Sequence, residues 1–476
     1  MNMRFPIARV SALALGMLVS ACSLAPAYVR PAAPVAASYP TGAAYKADAP
    51  AGESRAAADI GWRNFLTDKR LQQLVEVALH NNRDLRTAVL NVEQVRAQFR
   101  IESAALFPQV SAFMDRSRSR TPADLAASGR TENPGSYSVG ASLSWELDFF
   151  GRLRNLKAEA LEQYLASVQG QRAAQILLVS EVADQYLTLL ADDEQLQVTR
   201  RTLEAARGSY AIVKLQFDTG AGNELDLRQA ETVVEQALAN EAAQLRARAQ
   251  SENALVLLLG QSQPAESEPA TSLDSESLLA DIPAGLPSDL LIRRPDVLQA
   301  EALLRATNAD IGVARANFFP HIELTASGGT ASASLSGLFK AGSAAWSVAP
   351  AVTESVFDFG ANRANLDVAR VRKDIGVAQY EKAVQTAFRE VADGLAARGT
   401  FDSQIAALER YTAAQRRRLE LATLLYKNGA ASYLDVLTAQ TDLYAAEQVL
   451  VSARLERLTN LVDLYRSLGG GWIESS

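Results

Sequence analysis

Cysteine is almost missing from this chain. Cys22 is the only one in 476 residues, so no disulfide can form within the chain. There are two histidines, His80 and His321, which leaves a His/Cys metal site almost no material. Beyond the first 20 residues no stretch approaches 18 consecutive apolar residues, which argues against a helical membrane span there. No glycine-rich phosphate loop, nucleophile elbow or cluster of acid, base and nucleophile stands out, so an enzyme finds no support. The net charge is −7, and losing the two arginines of residues 1–21 takes it to −9; nucleic-acid binding wants a basic stripe instead. Proline is absent from 152–217 and from 361–427, and glycine is isolated there (Gly170, Gly208; Gly376, Gly394, Gly399).

What is present begins with an address. Arg4 and Arg9 precede an apolar run, Val10 to Val19, that ends in Ser20-Ala21-Cys22. A charged head, a short apolar core and small residues before a cut make a secretory signal over 1–21. The sole cysteine sits where a bacterial lipobox places its lipidated residue; the other reading is an ordinary signal with an incidental Cys22. Three acyl chains would exceed the two signals that stable anchoring needs. Ser23, with no Asp beside Cys22, resembles the outer-membrane sorting pattern. Residues 22–60, rich in Ala and Pro from Ala25 to Ala51, read as an extended tether. Trp62 opens the folded part.

The chain then contains itself twice. Phe107-Pro108 returns as Phe319-Pro320, Leu147-Asp148-Phe149-Phe150-Gly151 as Phe357-Asp358-Phe359-Gly360, and Gly220-Ala221 with Leu225-Asp226 as Gly429-Ala430 with Leu434-Asp435. The offset is 212 residues at the first match and 209 at the later ones, too long for a solenoid unit. The segments are a first repeat over 61–270, a linker over 271–293, a second repeat over 294–468 and a tail over 469–476. Each repeat reads helix, strand, loop, strand, very long helix, return helix.

Each long segment is about 66 residues, roughly 100 Å if one continuous helix. That length asks for a coiled coil. Ile176, Val179, Ala183, Tyr186 and Leu190 step by 3 and 4, as do Val451, Leu455, Leu458, Val462 and Tyr465, which is the 3.5-residue period. The tip turns are 218–223 and 427–432. Gly220 and Gly429 suit the left-handed end of a helix. Ser432 with Asp435 approximates a capping box, and Asn223 with Asp226 is a variant. Asp226 and Asp435 therefore read as caps, with a pore-lining role as the alternative.

The strands alternate. Tyr137, Val139, Ala141, Leu143, Trp145 and Leu147 interleave with Ser138, Gly140, Ser142, Ser144 and Glu146. Ile322, Leu324 and Ala326 form a second set, Trp346, Val348, Pro350 and Val352 a third, and Val110, Ala112 and Met114 a weaker fourth. Lengths near 10 residues suit tilted outer-membrane strands, and phenylalanines gather where strands meet helices. Four strands cannot close a barrel, and open edges in lipid are costly, so several copies must associate.

Leu291-Ile292-Arg293-Arg294-Pro295-Asp296-Val297, Ala300-Glu301, Ala309 to Ala314, the Leu434-Asp435-Val436 tip and Leu468-Gly469-Gly470-Gly471-Trp472 resemble the TolC-like outer-membrane factor family, in its OprM-like (NodT-like) efflux lipoprotein subgroup. The resemblance covers nearly all of the mature chain. It implies a mainly α fold with a membrane β-barrel: a homotrimer with 12 strands in the outer membrane and a 12-helix periplasmic tunnel. The implied partners are a periplasmic membrane-fusion adaptor and an inner-membrane transporter of the RND type, with no cofactor beyond the lipid on Cys22. By alignment Tyr426 and Leu434 match tip residues associated with closure, or else pack the helix ends. Two charged tip positions of the subgroup fall at Thr438 and Thr441, which puts a charged lock in doubt. Arg293 or Arg294 is expected to anchor the junction between repeats, and Pro295 with Asp296 makes a helix start. The implied activity is passive efflux of small toxic compounds; a duct for type I protein secretion and a periplasmic coiled-coil adaptor are the alternatives.

Overall fold

The computed structural model describes residues 24–45, 57–262, 273 and 287–474. The signal segment, Cys22 and most of the linker between the repeats lie outside the described residues. The first repeat runs α1 (Trp62–Phe65), α2 (Lys69–Asn81), α3 (Arg83–Ala104), β1 (Gln109–Arg118), β2 (Gly135–Glu146), α4 (Arg152–Asp218) and α5 (Glu224–Leu259). The second runs α6 (Pro287–Arg293), α7 (Pro295–Ala316), β3 (His321–Ser332), β4 (Ala344–Thr353), α8 (Ala361–Lys427) and α9 (Tyr433–Ser467). The copies match closely: α3 and α7 each have 22 residues, and α4 and α8 each have 67. No helix among the described residues is long and apolar enough to cross a membrane.

The chain divides into two compact units that cut across the repeats. One holds Asn91–Val168 and Gln299–Tyr380 with the described residues up to Ala32; the other holds Ala33–Leu90, Gln169–Leu298 and the chain from Glu381 onward. In the first unit the four strands form one antiparallel sheet in the order β1-β2-β3-β4. The repeats join at β2 and β3, where Leu143 lies opposite Ala326 and Ser144 opposite Thr325. Pro108 and Pro320 each precede a strand, where a residue without an N–H removes no ladder bond. Asp148 and Asp358 start the long helices alike: the Asp148 carboxylate accepts from the Arg154 N–H at 2.9 Å, and that of Asp358 from the Asn362 N–H at 2.8 Å. At the Gly140–Gly329 pair the backbones run unusually close. A Cβ on Gly329 would lie 2.1 Å from the Val139 carbonyl oxygen, so only glycine fits. The outer edges of β1 and β4 have no partner strand among the described residues.

In the second unit the helices pack on the heptad positions. Ile176, Val179, Ala183, Tyr186 and Leu190 are all buried, as are Val451, Leu458, Val462 and Tyr465, with Leu455 half-buried. Tyr465 stacks on Phe65 with ring centroids 4.0 Å apart. Arg294 is buried at the junction. Its guanidinium donates to Asp296 at 2.9 and 2.6 Å, to Glu390 at 2.8 Å and to the Ser467 carbonyl at 3.0 Å. Arg293 reaches Asp59 at 2.6 Å. Both arginines therefore serve as ties between segments far apart in sequence.

Candidate functional site

The sheet sorts its side chains into two faces. Val110, Ala112 and Met114 of β1 register with Leu143, Ala141 and Val139 of β2, and the row continues through Leu324 and Ala326 to Pro350 and Val348. This apolar face is bare: Met114 is 79% and Trp346 82% exposed. A patch this wide on a protein surface marks contact with lipid or another protein. The other face is hydroxylated. Ser111 pairs with Ser142, Ser117 with Ser136 and Ser327 with Ser347, each at 2.8 Å, and Ser144 donates to Glu323 at 2.8 Å. At one end of β1 and β2, Arg116 lies over the Tyr137 ring at 5.4 Å. At the other end Trp145 donates its indole N–H to the Leu106 carbonyl at 3.1 Å. Greasy on one side, polar on the other and edged with amphipathic aromatics, the sheet has the build of a membrane barrel wall.

The helix tips form the second site. Gly220 has φ 75° and Gly429 φ 71°, and each turn closes on an equivalent backbone bond. The Ala221 N–H reaches the Gln216 carbonyl at 2.8 Å, and the Ala430 N–H reaches that of Leu425 at 2.9 Å. The Asn223 side chain accepts from the Asp226 N–H at 2.9 Å and donates to the Asp226 carboxylate at 2.9 Å. The Asp435 carboxylate accepts from the Ser432 N–H at 3.1 Å and its hydroxyl at 2.7 Å. The Asp435 carboxylate therefore closes a capping box, whereas at the first tip Asn223 is the cap and the Asp226 carboxylate only steadies its amide.

Between the tips lies a small core of Val213, Ala230, Tyr433 and Val436, with Tyr426 packed against it. Tyr426 meets Tyr433 edge-on at 5.4 Å and donates its hydroxyl to the Gln216 side chain at 2.7 Å, joining the two repeats. Burial, with the nearby Tyr426 and Asp226, pushes the Tyr433 phenol up to about 12.

The structure separates the four gate candidates. Tyr426 is turned into this packing. Leu434 is 53% exposed, and Thr438 and Thr441 are exposed with it, at the 4 and 3 spacing that shares one face of α9. The two threonine hydroxyls donate to carbonyls of their own helix, Leu434 at 2.8 Å and Leu437 at 3.0 Å. The charged ties nearby are Arg418–Asp442 at 2.6 Å and Arg416–Glu447 at 2.7 Å, which clip α8 to α9 and which sequence reasoning missed.

It also missed a clasp. Over residues 24–30 the segment read as an extended tether is a strap fastened to α7. The Glu301 carboxylate is nearly covered and accepts from Arg30 at 3.0 Å, Arg305 at 2.7 Å and the Tyr28 hydroxyl at 3.3 Å. Asn308 donates to the Pro26 carbonyl at 2.8 Å, and Arg315 to that of Leu24 at 2.9 Å. The i,i+4 pair Glu301–Arg305 was readable in the sequence; its partners across 271 residues were not. Burial opposes the Glu301 charge, but the hydrogen bonds from Arg30 and Arg305 outweigh it and hold its pKa below the usual carboxylate value. Among the described residues no cluster could hold a metal ion.

Known proteins share this build. The model of the outer membrane efflux protein family matches residues 74–261 and 286–470, one match per repeat. The chain belongs to the outer membrane efflux protein family. It is 46% identical to outer membrane protein OprJ of Pseudomonas aeruginosa over 473 residues, 99% of this chain and 98% of that one. It is 45% identical to the toluene efflux pump outer membrane protein TtgI of Pseudomonas putida over 458 residues, 96% of this chain and 97% of that one. The open state of the Neisseria gonorrhoeae MtrE outer membrane channel superposes with a TM-score of 0.84 at 38% identity, covering 95% of this chain and 99% of that one. The fold is that of these channels, with the internal duplication the family model divides in two. The chain is an outer-membrane channel component of an efflux pump.

Proposed function

We propose that three copies of this chain close into one passive duct for small, largely apolar toxic compounds. Each copy supplies four of 12 strands to a barrel in the outer membrane and its long helices to a periplasmic tunnel. The observation that carries this is the one-sided sheet with two unpaired edges. In lipid each unpaired backbone group costs several kcal/mol, so the edges of β1 and β4 must meet those of other copies. Relatives that carry toluene and solvent efflux in their names support the cargo class. The energy comes from elsewhere, from an RND-type inner-membrane transporter reached through a periplasmic membrane-fusion adaptor that docks at the tips. Cys22, acylated, adds a second hold on the outer membrane and needs no further cofactor.

The gate is the exposed face of α9 at the tip. Leu434 supplies the apolar constriction, with Thr438 and Thr441 behind it, while Tyr426 holds the two repeats' tips together. The adaptor opens the tip by binding the open form better than the closed one. Leu434→Ala should raise the leak conductance of the purified channel in planar bilayers; an unchanged conductance removes Leu434 from the gate. A deletion strain should become sensitive to solvents and drugs while its secreted proteins stay unchanged.

A further inference from the structure

On β1 the row that begins with Val110, Ala112 and Met114 continues, at the same spacing of two, through Arg116, Arg118 and Arg120, all exposed. Successive side chains of a strand alternate between faces, so these arginines stand on the apolar face of the sheet. The ladder keeps that alternation past the end of β1. Arg118 lies opposite Gly135, the Ser119 N–H donates to the Pro134 carbonyl at 3.0 Å, and Thr121 and Glu132 exchange bonds at 2.8 and 3.0 Å in the same register. We propose that this row binds the phosphates of an anionic lipid in the outer leaflet of the membrane. The inference rests on the barrel reading above and adds a lipid site to its wall.

The helices join the sheet at the ends of β1 and β2 that carry Gln109 and Glu146. Arg118 stands at the opposite end, beside the loops at 119–134 and 333–343. In a wall whose helices run into the periplasm, that end is the outer rim. Met114 registers with Val139, Thr330 and Ala344; the next row outward is Arg116, Tyr137 and Ser332. The passage from apolar to charged therefore takes one row, marked by an aromatic with a polar tip. The Arg116 guanidinium is held at that level over the Tyr137 ring, at 5.4 Å. A Cβ on Gly135 would lie 3.9 Å from Cγ of Arg118, so the Arg118 stem crosses bare backbone. From Arg116 to Arg120 the strand rises about 13 Å, enough to carry the row through a headgroup layer.

The sheet itself supplies no counter-charge. Among the described residues no ion pair engages Arg116, Arg118 or Arg120. Asp115, opposite Ser138, and Glu132, opposite Thr121, stand on the hydroxylated face. Like charges side by side repel until an anion comes between them. Nor does the fold need these residues. The repeat offset of 212 carries them to Gly328, Thr330 and Ser332, and β3 forms its ladder with those in place. Guanidinium groups grip phosphate through paired N–H donors, which suits this row to that anion. An open strand gives a free anion no enclosure. A lipid can lay its chains on Val110 and Met114 while its phosphates meet the arginines, and so engages both parts of the face at once.

The test compares full-length wild type with the combined Arg116→Gln, Arg118→Gln and Arg120→Gln variant. Both are reconstituted in phosphatidylcholine vesicles holding a sub-saturating share of bisphosphorylated lipid A. The protein is withdrawn in mild detergent and the lipid A retained per chain is counted by mass spectrometry. Retention should fall about 5-fold for each arginine removed. Dephosphorylated lipid A should be retained by the wild type no better than bisphosphorylated lipid A is by the triple variant. Inorganic phosphate should displace no more lipid than chloride at the same ionic strength; if it does, the row is a free-anion site and the lipid assignment is overturned. Equal retention by wild type and an assembled triple variant also overturns the proposal. If the triple variant does not assemble, the two lipids on the wild type decide, and equal retention of both overturns it. A wild-type chain without heat-modifiable migration would instead sink the barrel reading on which the site stands.

Discussion

Replacing Glu301 with alanine should unfasten the strap while leaving the sheet intact. Glu301 is almost covered, but Arg30 and Arg305 keep 39% and 43% of their side-chain surfaces in water. A wholly buried pair broken on one side would cost 3–5 kcal/mol, while exposed pairs contribute 1 kcal/mol or less. With both arginines able to return to solvent, about 1 kcal/mol for each is appropriate, or about 2 kcal/mol in all. That is about 30-fold in the equilibrium for local opening. Chymotrypsin cleaves after Tyr28 only when the strap is loose, so under fast reclosing the cleavage rate should rise by about the same factor. Glu301→Gln keeps an acceptor and loses the charge, and should give an intermediate rate. The pH dependence follows from the lowered folded pKa of Glu301. Its contribution is fully present above the unfolded value near 4.3 and is lost as the pH falls through the folded value. Wild-type protection should therefore be level from pH 8 to pH 5 and fall away only as the pH drops below the unfolded value and through the lower folded one, with no such step in either variant. A change in cleavage of less than about 3-fold in the alanine variant would refute the assignment of the clasp.

Three further outcomes are expected. Gly329→Ala should cost about 1–3 kcal/mol by overpacking β2 against β3, seen as lost heat-modifiable migration on gels; a normal shift would show that the two strands can spread. Arg294→Ala should lower the thermal midpoint by an amount corresponding to about 3 kcal/mol, since it strands Glu390 and Asp296, which remain partly solvated; a change under 1 kcal/mol would deny the junction its role. Asp184 is pushed up to about 7 by burial and then by Asp463, so the folded state holds its proton more tightly than the unfolded chain and stability falls as the pH rises from 4 to 7. Asp184→Asn should then stabilise the protein more at pH 8 than at pH 5, and an equal effect at both would contradict the burial argument.

The elements that were readable are those whose signal is local. Val139, Ala141 and Leu143 alternate with glycine and serine because one face meets water, and the stepping of Ile176 to Leu190 follows from two helices sharing a seam. The tip turns were readable because Gly220 and Gly429 occupy a backbone conformation other residues resist. The strap was not: Tyr28 and Arg30 lie in a Pro- and Ala-rich stretch whose composition resembles any linker, and its fastening depends on Glu301, 271 residues away. Arg418–Asp442 was hidden for a related reason, since both ends of such a tie sit among many other charges and only geometry selects the pair. Alternation alone did not carry β3 past Ser327 either, because Gly328 and Gly329 have no side chains to alternate; the backbone ladder extends it to Ser332.

The paired serines of the hydroxylated face have one more consequence. Each pair closes a single hydrogen bond between neighbouring strands, so the accepting serine keeps its own proton free for water. Asp115, Glu146 and Glu323 stand on the same side of the sheet and add charges that hold water as well. A face wetted in this way offers an apolar solute a layer of solvent before it offers any side chain, with Phe113 as the exception.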